Sequence, residues 1–335
     1  MRKKILYIGN RLAHKNTATT IDTLGPKLQG LGFEVNYASS VFNKPVRLLH
    51  MLIKTAFLKK KGYLLIDTYS TANFWYAYLC AKIATSRGLR YIPILHGGEL
   101  PARFRKSEKK TSFILRNAYC NVAPSGYLYD FFKNKGFKNL KQIANPVDID
   151  CYKYKERSRL SPRLLWVRSF AKIYNPMMAL EVVQELQKGF PGVHLCMVGP
   201  EKDGSLAACK AFAEARKLPV TFTGKLEKTD WVELSTEYDI FINTTHFDNM
   251  PVSVIEAMAL GLPVVSTRVG GIPFLLEDGE NALLVDDASV EQMVSAIQGL
   301  LEDVELPATL ASHARNKAET FDWQIIKEAW LTLLS

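Results

Sequence analysis

The sequence has no run of eighteen apolar residues of the kind that crosses a bilayer. Its five cysteines, at positions 80, 120, 151, 196 and 209, form no C-x-x-C pair and no regular framework. That sets aside zinc clusters and disulfide scaffolds and fits reduced, packed thiols in a cytoplasm. The basic opening MRKKILYIGN is broken at Gly9-Asn10-Arg11, too soon for a secretory h-region. IGNRLAHKN stands where a dinucleotide enzyme would carry G-x-G-x-x-G after its first strand, and no G-x-x-x-x-G-K-[ST] occurs anywhere. There is no low-complexity tract and no tandem repeat. The basic residues lack the aromatic interleaving of an RNA-recognition sheet, and zinc-finger or helix-turn-helix spacing is missing. Nucleic acid is therefore not an expected partner, although a nucleic-acid-binding protein stays the rival from another functional class.

What is present is a globular chain of 335 residues, 47% hydrophobic and 23% charged, long enough for two domains. Residues 1–150 hold 25 Lys and Arg against 8 Asp and Glu, a net +17, while the remaining 185 hold 18 against 25, a net −7. The first half thus expects an anionic partner. Short apolar strands (KKILYIG, YLLID, RYIPIL, RLLWV, VHLCMVG, VTFTG, DIFINT, PVVST) alternate with amphipathic helical stretches. This alternation predicts an α/β protein with two doubly wound parallel sheets. The polar, Pro-flanked segment 145–163 reads as the linker, and FDWQIIKEAWLTLL as a final helix with Trp323, Ile326 and Trp330 on one face.

The most informative stretch is FDNMPVSVIEAMALGLPVVSTRVGG, residues 247–271. Asn249 or Asp248 can cap a helix there, Pro251 suits its first turn, and Gly261 can end it before the Val264-Val265 strand. Free N–H groups at such a helix start bind phosphate without a charged side chain. Glu256 lies five residues beyond Pro251, about 7.5 Å along the axis. A diphosphate at the helix end and a ribose diol on the carboxylate fit that spacing; so does an ordinary capped amphipathic helix.

In its setting, this stretch resembles the donor-site signature of glycosyltransferase family 4, retaining nucleotide-sugar transferases built from two Rossmann-like domains facing across a cleft (the B-type fold). LHGGELP (95–101), APSGYL (123–128), IANPVDI (143–149) and LLWVRSFAKIYNP (164–176) follow in the family's order. The resemblance implies an acceptor-binding domain over 1–155, a donor-binding domain over 156–317, and a helix over 318–335 returning to the first domain. It assigns Glu256 to the nucleotide ribose and Asp248, where the family's usual residue is Glu, to donor-sugar hydroxyls. The donor set is completed by Asn249, Met250, Pro251 and Val252 at the helix start. Arg168 and Lys172 are the cations available to the diphosphate, because Tyr174 stands where the family's Lys is expected. His96 is carried over to the donor sugar, and Gly9, Asn10, Gly97 and Gly98 to the acceptor side.

The implied activity is a hexosyltransferase-type transfer that retains anomeric configuration, with no metal and no cofactor. The implied partners are a nucleotide-sugar donor and a glycan or lipid-linked glycan acceptor, in cell-surface polysaccharide biosynthesis. Asp148-Ile149-Asp150 mimics a D-x-D metal motif but falls in the linker reading. A sugar-nucleotide epimerase on the same architecture is the alternative. Finally, PVRLLHMLIKTAFLKKKG (45–62) places Leu48, Leu49, Leu52, Ile53, Ala56 and Phe57 at helical spacing before Lys59-Lys60-Lys61. Either this helix lies on anionic lipid, peripheral to the inner face of the cytoplasmic membrane, or it covers a sheet with its lysines in water.

Overall fold

The computed structural model describes residues 3–12, 19–157 and 159–335. The chain divides into two units, Met1–Pro146 with Lys327–Ser335, and Val147–Ile326. In the first, strands β1 (Lys4–Ile8), β2 (Glu34–Ala38), β3 (Tyr63–Thr68), β4 (Arg90–Leu95), β5 (Asn121–Ala123) and β6 (Leu140–Gln142) form one sheet in the order β2-β1-β3-β4-β5-β6. In the second, β7 (Arg163–Val167), β8 (His194–Val198), β9 (Val220–Gly224), β10 (Ile240–Asn243), β11 (Val264–Thr267) and β12 (Leu283–Val285) take the order β12-β11-β10-β7-β8-β9. Every pairing is parallel. Both are doubly wound Rossmann-like domains of the expected α/β class, the second with the 3-2-1-4-5-6 order of dinucleotide-type sheets.

All eight strands read from the sequence are present, and four more join them. Strands β5, β6 and β12 have three residues each, too few to show a period, and β2 (EVNYA) alternates only weakly in burial. By contrast β3, YLLIDT, is buried at all six positions, the pattern of a strand covered on both faces.

The helix Lys44–Phe57 begins under Asn43, whose side chain accepts from the Val46 N–H at 3.2 Å. It turns Arg47, Met51 and Thr55 inward, with Leu48 and Leu52 half-buried beside them. Val46, Leu49, Ile53 and Phe57 stay exposed. One face therefore covers the sheet, and a second apolar face does not.

The expected linker is corrected by Arg157. Residues from Val147 onward belong to the second unit, where the Arg157 guanidinium is buried and donates to five carbonyls: Tyr238 at 3.2 Å, Lys155 at 2.9 Å, Leu260 at 3.0 Å, Gly261 at 2.9 Å and Ser235 at 3.3 Å. A polar composition suggested solvent, but one saturated cation makes this segment structural. The last helix, Trp323–Leu334, buries Ile326 and Trp330, and its end is held in the first unit by Lys3 Nζ on the Leu334 carbonyl and Tyr63 OH on the Ser335 carbonyl, each at 3.0 Å.

Burial pulls the Arg157 guanidinium below the usual arginine value, and Asp239 at 3.7 Å partly offsets this. Arg157→Leu should therefore strand five carbonyls and cost the second unit about 3 kcal/mol, read as a lower urea midpoint for that unit. Asp239→Asn should cost less than half as much, since the carbonyls keep their donors.

Candidate functional site at the switch points

In an open parallel sheet, ligands bind beyond the carboxyl ends of strands, where the strand order reverses. In the second unit this point lies between β7 and β10, paired Leu164 to Ile240 and Leu165 to Phe241. The residues that follow these two strands include Arg168 and Asp248, and they form an ion pair. The Arg168 guanidinium also lies over the Tyr174 ring, 4.4 Å from its centroid. Burial lowers the Arg168 pKa, while Tyr174 and then Glu256 act in the opposite sense.

The helix after β10 runs Val252–Ala259. Pro251, rather than Asn249 or Asp248, occupies the N-cap position, in extended geometry and with no side-chain hydrogen bond of its own. Asp248 instead accepts from the Asn249 N–H at 2.8 Å while paired with Arg168. The N–H groups of Val252 and Ser253 open the helix, beside half-buried Met250 and buried Asn249. Gly270 and Gly271 explain the end of the motif. Gly270 has φ +54°, and a Cβ on Gly271 would strike the Asn249 carbonyl, so only glycine lets this loop lie against 247–249.

Glu256 is buried one and a half turns along. Its Oε1 accepts from Tyr152 OH at 2.6 Å and from Lys228 Nζ at 2.8 Å, and that ammonium lies 5.3 Å from the Tyr152 ring centroid. Burial, then the Glu256 charge, pushes the Tyr152 phenol far above the usual tyrosine range. Sequence reasoning missed both partners. Lys228 has the signature of any solvated helical lysine, and Tyr152 sat in the supposed linker. Lys172 is exposed and borders a cavity of about 490 Å³ with Asn175, Asp203 and His246. Asp148 and Asp150 are both exposed.

In the first unit the order reverses between β1 and β3. Gly9 and Asn10 follow β1, and His96 and Gly97 follow β4. His96 Nε2 meets Asp67 Oδ1 at 3.0 Å, and Tyr7 OH donates to the same oxygen at 3.0 Å. The His96 ring lies 5.6 Å from that of Tyr69. Burial raises the Tyr7 phenol well above its ordinary value, with Asp67 adding to the effect. A Cβ on Gly97 would come within 2.6 Å of the Ser70 nitrogen, and one on Gly9 within 2.6 Å of Asp67 Oδ2. Gly98 follows half-buried at the start of the next turn. Asp67 is the missed residue here, and a signal existed: it is the acidic end of the apolar strand YLLID.

Residues 161–303 match the family model of Glycosyl transferases group 1. The matched segment lies within the second unit. Sulfoquinovosyl transferase SQD2 of Arabidopsis thaliana is 32% identical over 110 residues, 32% of this chain and 22% of the relative. Spore coat protein SA of Bacillus subtilis is 26% identical over 246 residues, 71% of this chain and 62% of the relative. The chain thus spans less than two thirds of either relative's length. Among solved structures, Anabaena Alr3699/HepE in complex with UDP and glucose superposes with a TM-score of 0.78 at 17% identity, covering both chains completely. That likeness shows the fold, and the segment matched by the family model contains the second sheet together with Arg168, Asp248 and Glu256.

Tyr152 holds its proton more tightly in the folded chain than in the unfolded one, where tyrosine titrates near pH 10. The stability this gives is complete below about pH 10 and is lost as pH rises further. Tyr152→Phe should remove one proton from the alkaline slope of stability, about 1.4 kcal/mol per pH unit, in urea titrations above pH 10.

Proposed function

We propose that the chain is a retaining glycosyltransferase that moves a sugar from a nucleotide-sugar donor to a glycan or lipid-linked glycan, in cell-surface polysaccharide synthesis. The observation that carries this reading is the meeting, at one switch point, of Arg168, the start of the Val252–Ala259 helix and the buried Glu256. These are a cation and N–H donors for a diphosphate and a carboxylate for a ribose hydroxyl. The match of residues 161–303 to the group 1 family model and the UDP and glucose held by the Anabaena protein support it.

Sugar transfer from a nucleoside diphosphate builds negative charge on the leaving phosphate and positive charge on the sugar ring. Arg168 and the N–H groups of Val252 and Ser253 answer the first, so the reaction as proposed uses no metal. Donor binding requires Arg168 to exchange Asp248 for phosphate, which frees the Asp248 carboxylate for sugar hydroxyls. Glu256 keeps Tyr152 and Lys228 on Oε1 and offers Oε2 to the ribose. The resemblance gives His96 to the donor sugar, and Asp67 fixes which ring nitrogen it presents. An epimerase would instead turn over donor with no acceptor present.

A panel of nucleotide sugars, scored by thermal shift and by hydrolysis, tests the reading. At least one should both stabilise the protein and be consumed; a panel that does neither sinks it. Against the active donor, Glu256→Gln should weaken binding by about 1.5–3 kcal/mol, the worth of one charge-assisted hydrogen bond. Arg168→Ala should slow turnover by about 10² or more, and a wild-type rate would pass the role to Lys172 or to backbone alone.

A further inference from the structure

The second apolar face of the Lys44–Phe57 helix has a regular geometry. Phe42, Val46, Leu49, Ile53 and Phe57 fall at intervals of four, three, four and four residues, which places them along one side of a helix and its leading turn. All are open to solvent, from 46% for Ile53 to 82% for Phe57. None is needed to cover the sheet, since Arg47, Met51 and Thr55 do that on the other side. Exposed lysines flank the stripe: Lys44 and Lys54 within the helix and Lys59, Lys60 and Lys61 directly after it.

The neighbouring helix, Phe74–Ser86, runs alongside in the same sense. Arg47 reaches Tyr76 near the two starts, and Arg87 donates to the Thr55 and Leu58 carbonyls near the two ends. Exposed apolar side chains flanked by ammonium groups are the composition of a surface that sits at the boundary of headgroups and acyl chains. The net +17 of residues 1–150 selects a negatively charged boundary.

We infer that this stripe is a membrane-docking surface, by which the first unit lies on an anionic lipid bilayer with Phe57 and Leu49 in the acyl boundary and Lys59–Lys61 among the headgroups. The proposal deepens the reading above by naming where a lipid-linked acceptor would be met. The binding itself is measured without any donor, so the two can fail separately.

The test sediments the full chain with phosphatidylcholine vesicles, with and without phosphatidylglycerol, at low and high salt. The protein should partition onto the phosphatidylglycerol vesicles and be released by salt. Changing Lys59, Lys60 and Lys61 together to Gln should lower partitioning by about a hundredfold. The triple Leu49→Ser, Ile53→Ser, Phe57→Ser should lower it at least about tenfold and leave a weak residue that salt abolishes. Lys210→Gln with Lys217→Gln, exposed in the second unit, should change nothing. Vesicle binding that is absent at low salt, or indifferent to the serine triple, overturns the proposal. So does a dimer, seen by sedimentation velocity, that ignores vesicles and is abolished by the serine triple; the stripe would then be covered by a second copy.

Discussion

Parallel pairing of β7 with β10 is the contact on which the candidate donor site depends. These strands are distant in sequence, and their register brings the residue after Val167 and the loop after Asn243 to one edge of the sheet. Arg168 and Asp248 then meet without either belonging to a regular element. A shift of the pairing by one residue would turn the inward side chains outward and separate this pair. The core positions Leu164, Leu165, Ile240 and Phe241, all fully buried, therefore set the geometry of charges that they do not touch.

Glu256 shows how such a site tolerates a buried carboxylate. An isolated charge inside a protein is costly, and burial is sustained only by donors and countercharge. Tyr152 and Lys228 provide both, on a single oxygen. Tyr152 comes from the segment just after the boundary between the units and Lys228 from a helix end, so this one carboxylate ties three separate parts of the second unit together. In the first unit Asp67 does the same with Tyr7 and His96.

The sequence carried the architecture well where strands were long and fully apolar, as in YLLID or RYIPIL, because burial on both faces leaves a continuous hydrophobic run. It carried the loop and helix of residues 247–271 through a local pattern of Pro and Gly that constrains backbone geometry. It failed where a side chain's role depends on distant partners. Arg157 looked like a linker cation, yet its five acceptors come from positions up to 104 residues away. Tyr152, Lys228 and the pairing of Arg168 with Asp248 were hidden for the same reason, since no periodicity records a contact across the sheet.

Gly270 and Gly271, pressed against the backbone of Asp248 and Asn249, couple two loops that are otherwise free to vary. The loop bearing Asp248 has a wall of main chain behind it, with no side chain that could be trimmed or enlarged to make room. Room at this loop can therefore be changed only on its open side, by altering the side chains at 248–250. A lineage that gained a side chain at either glycine would have to rebuild both loops at once, which makes this corner of the protein slow to drift.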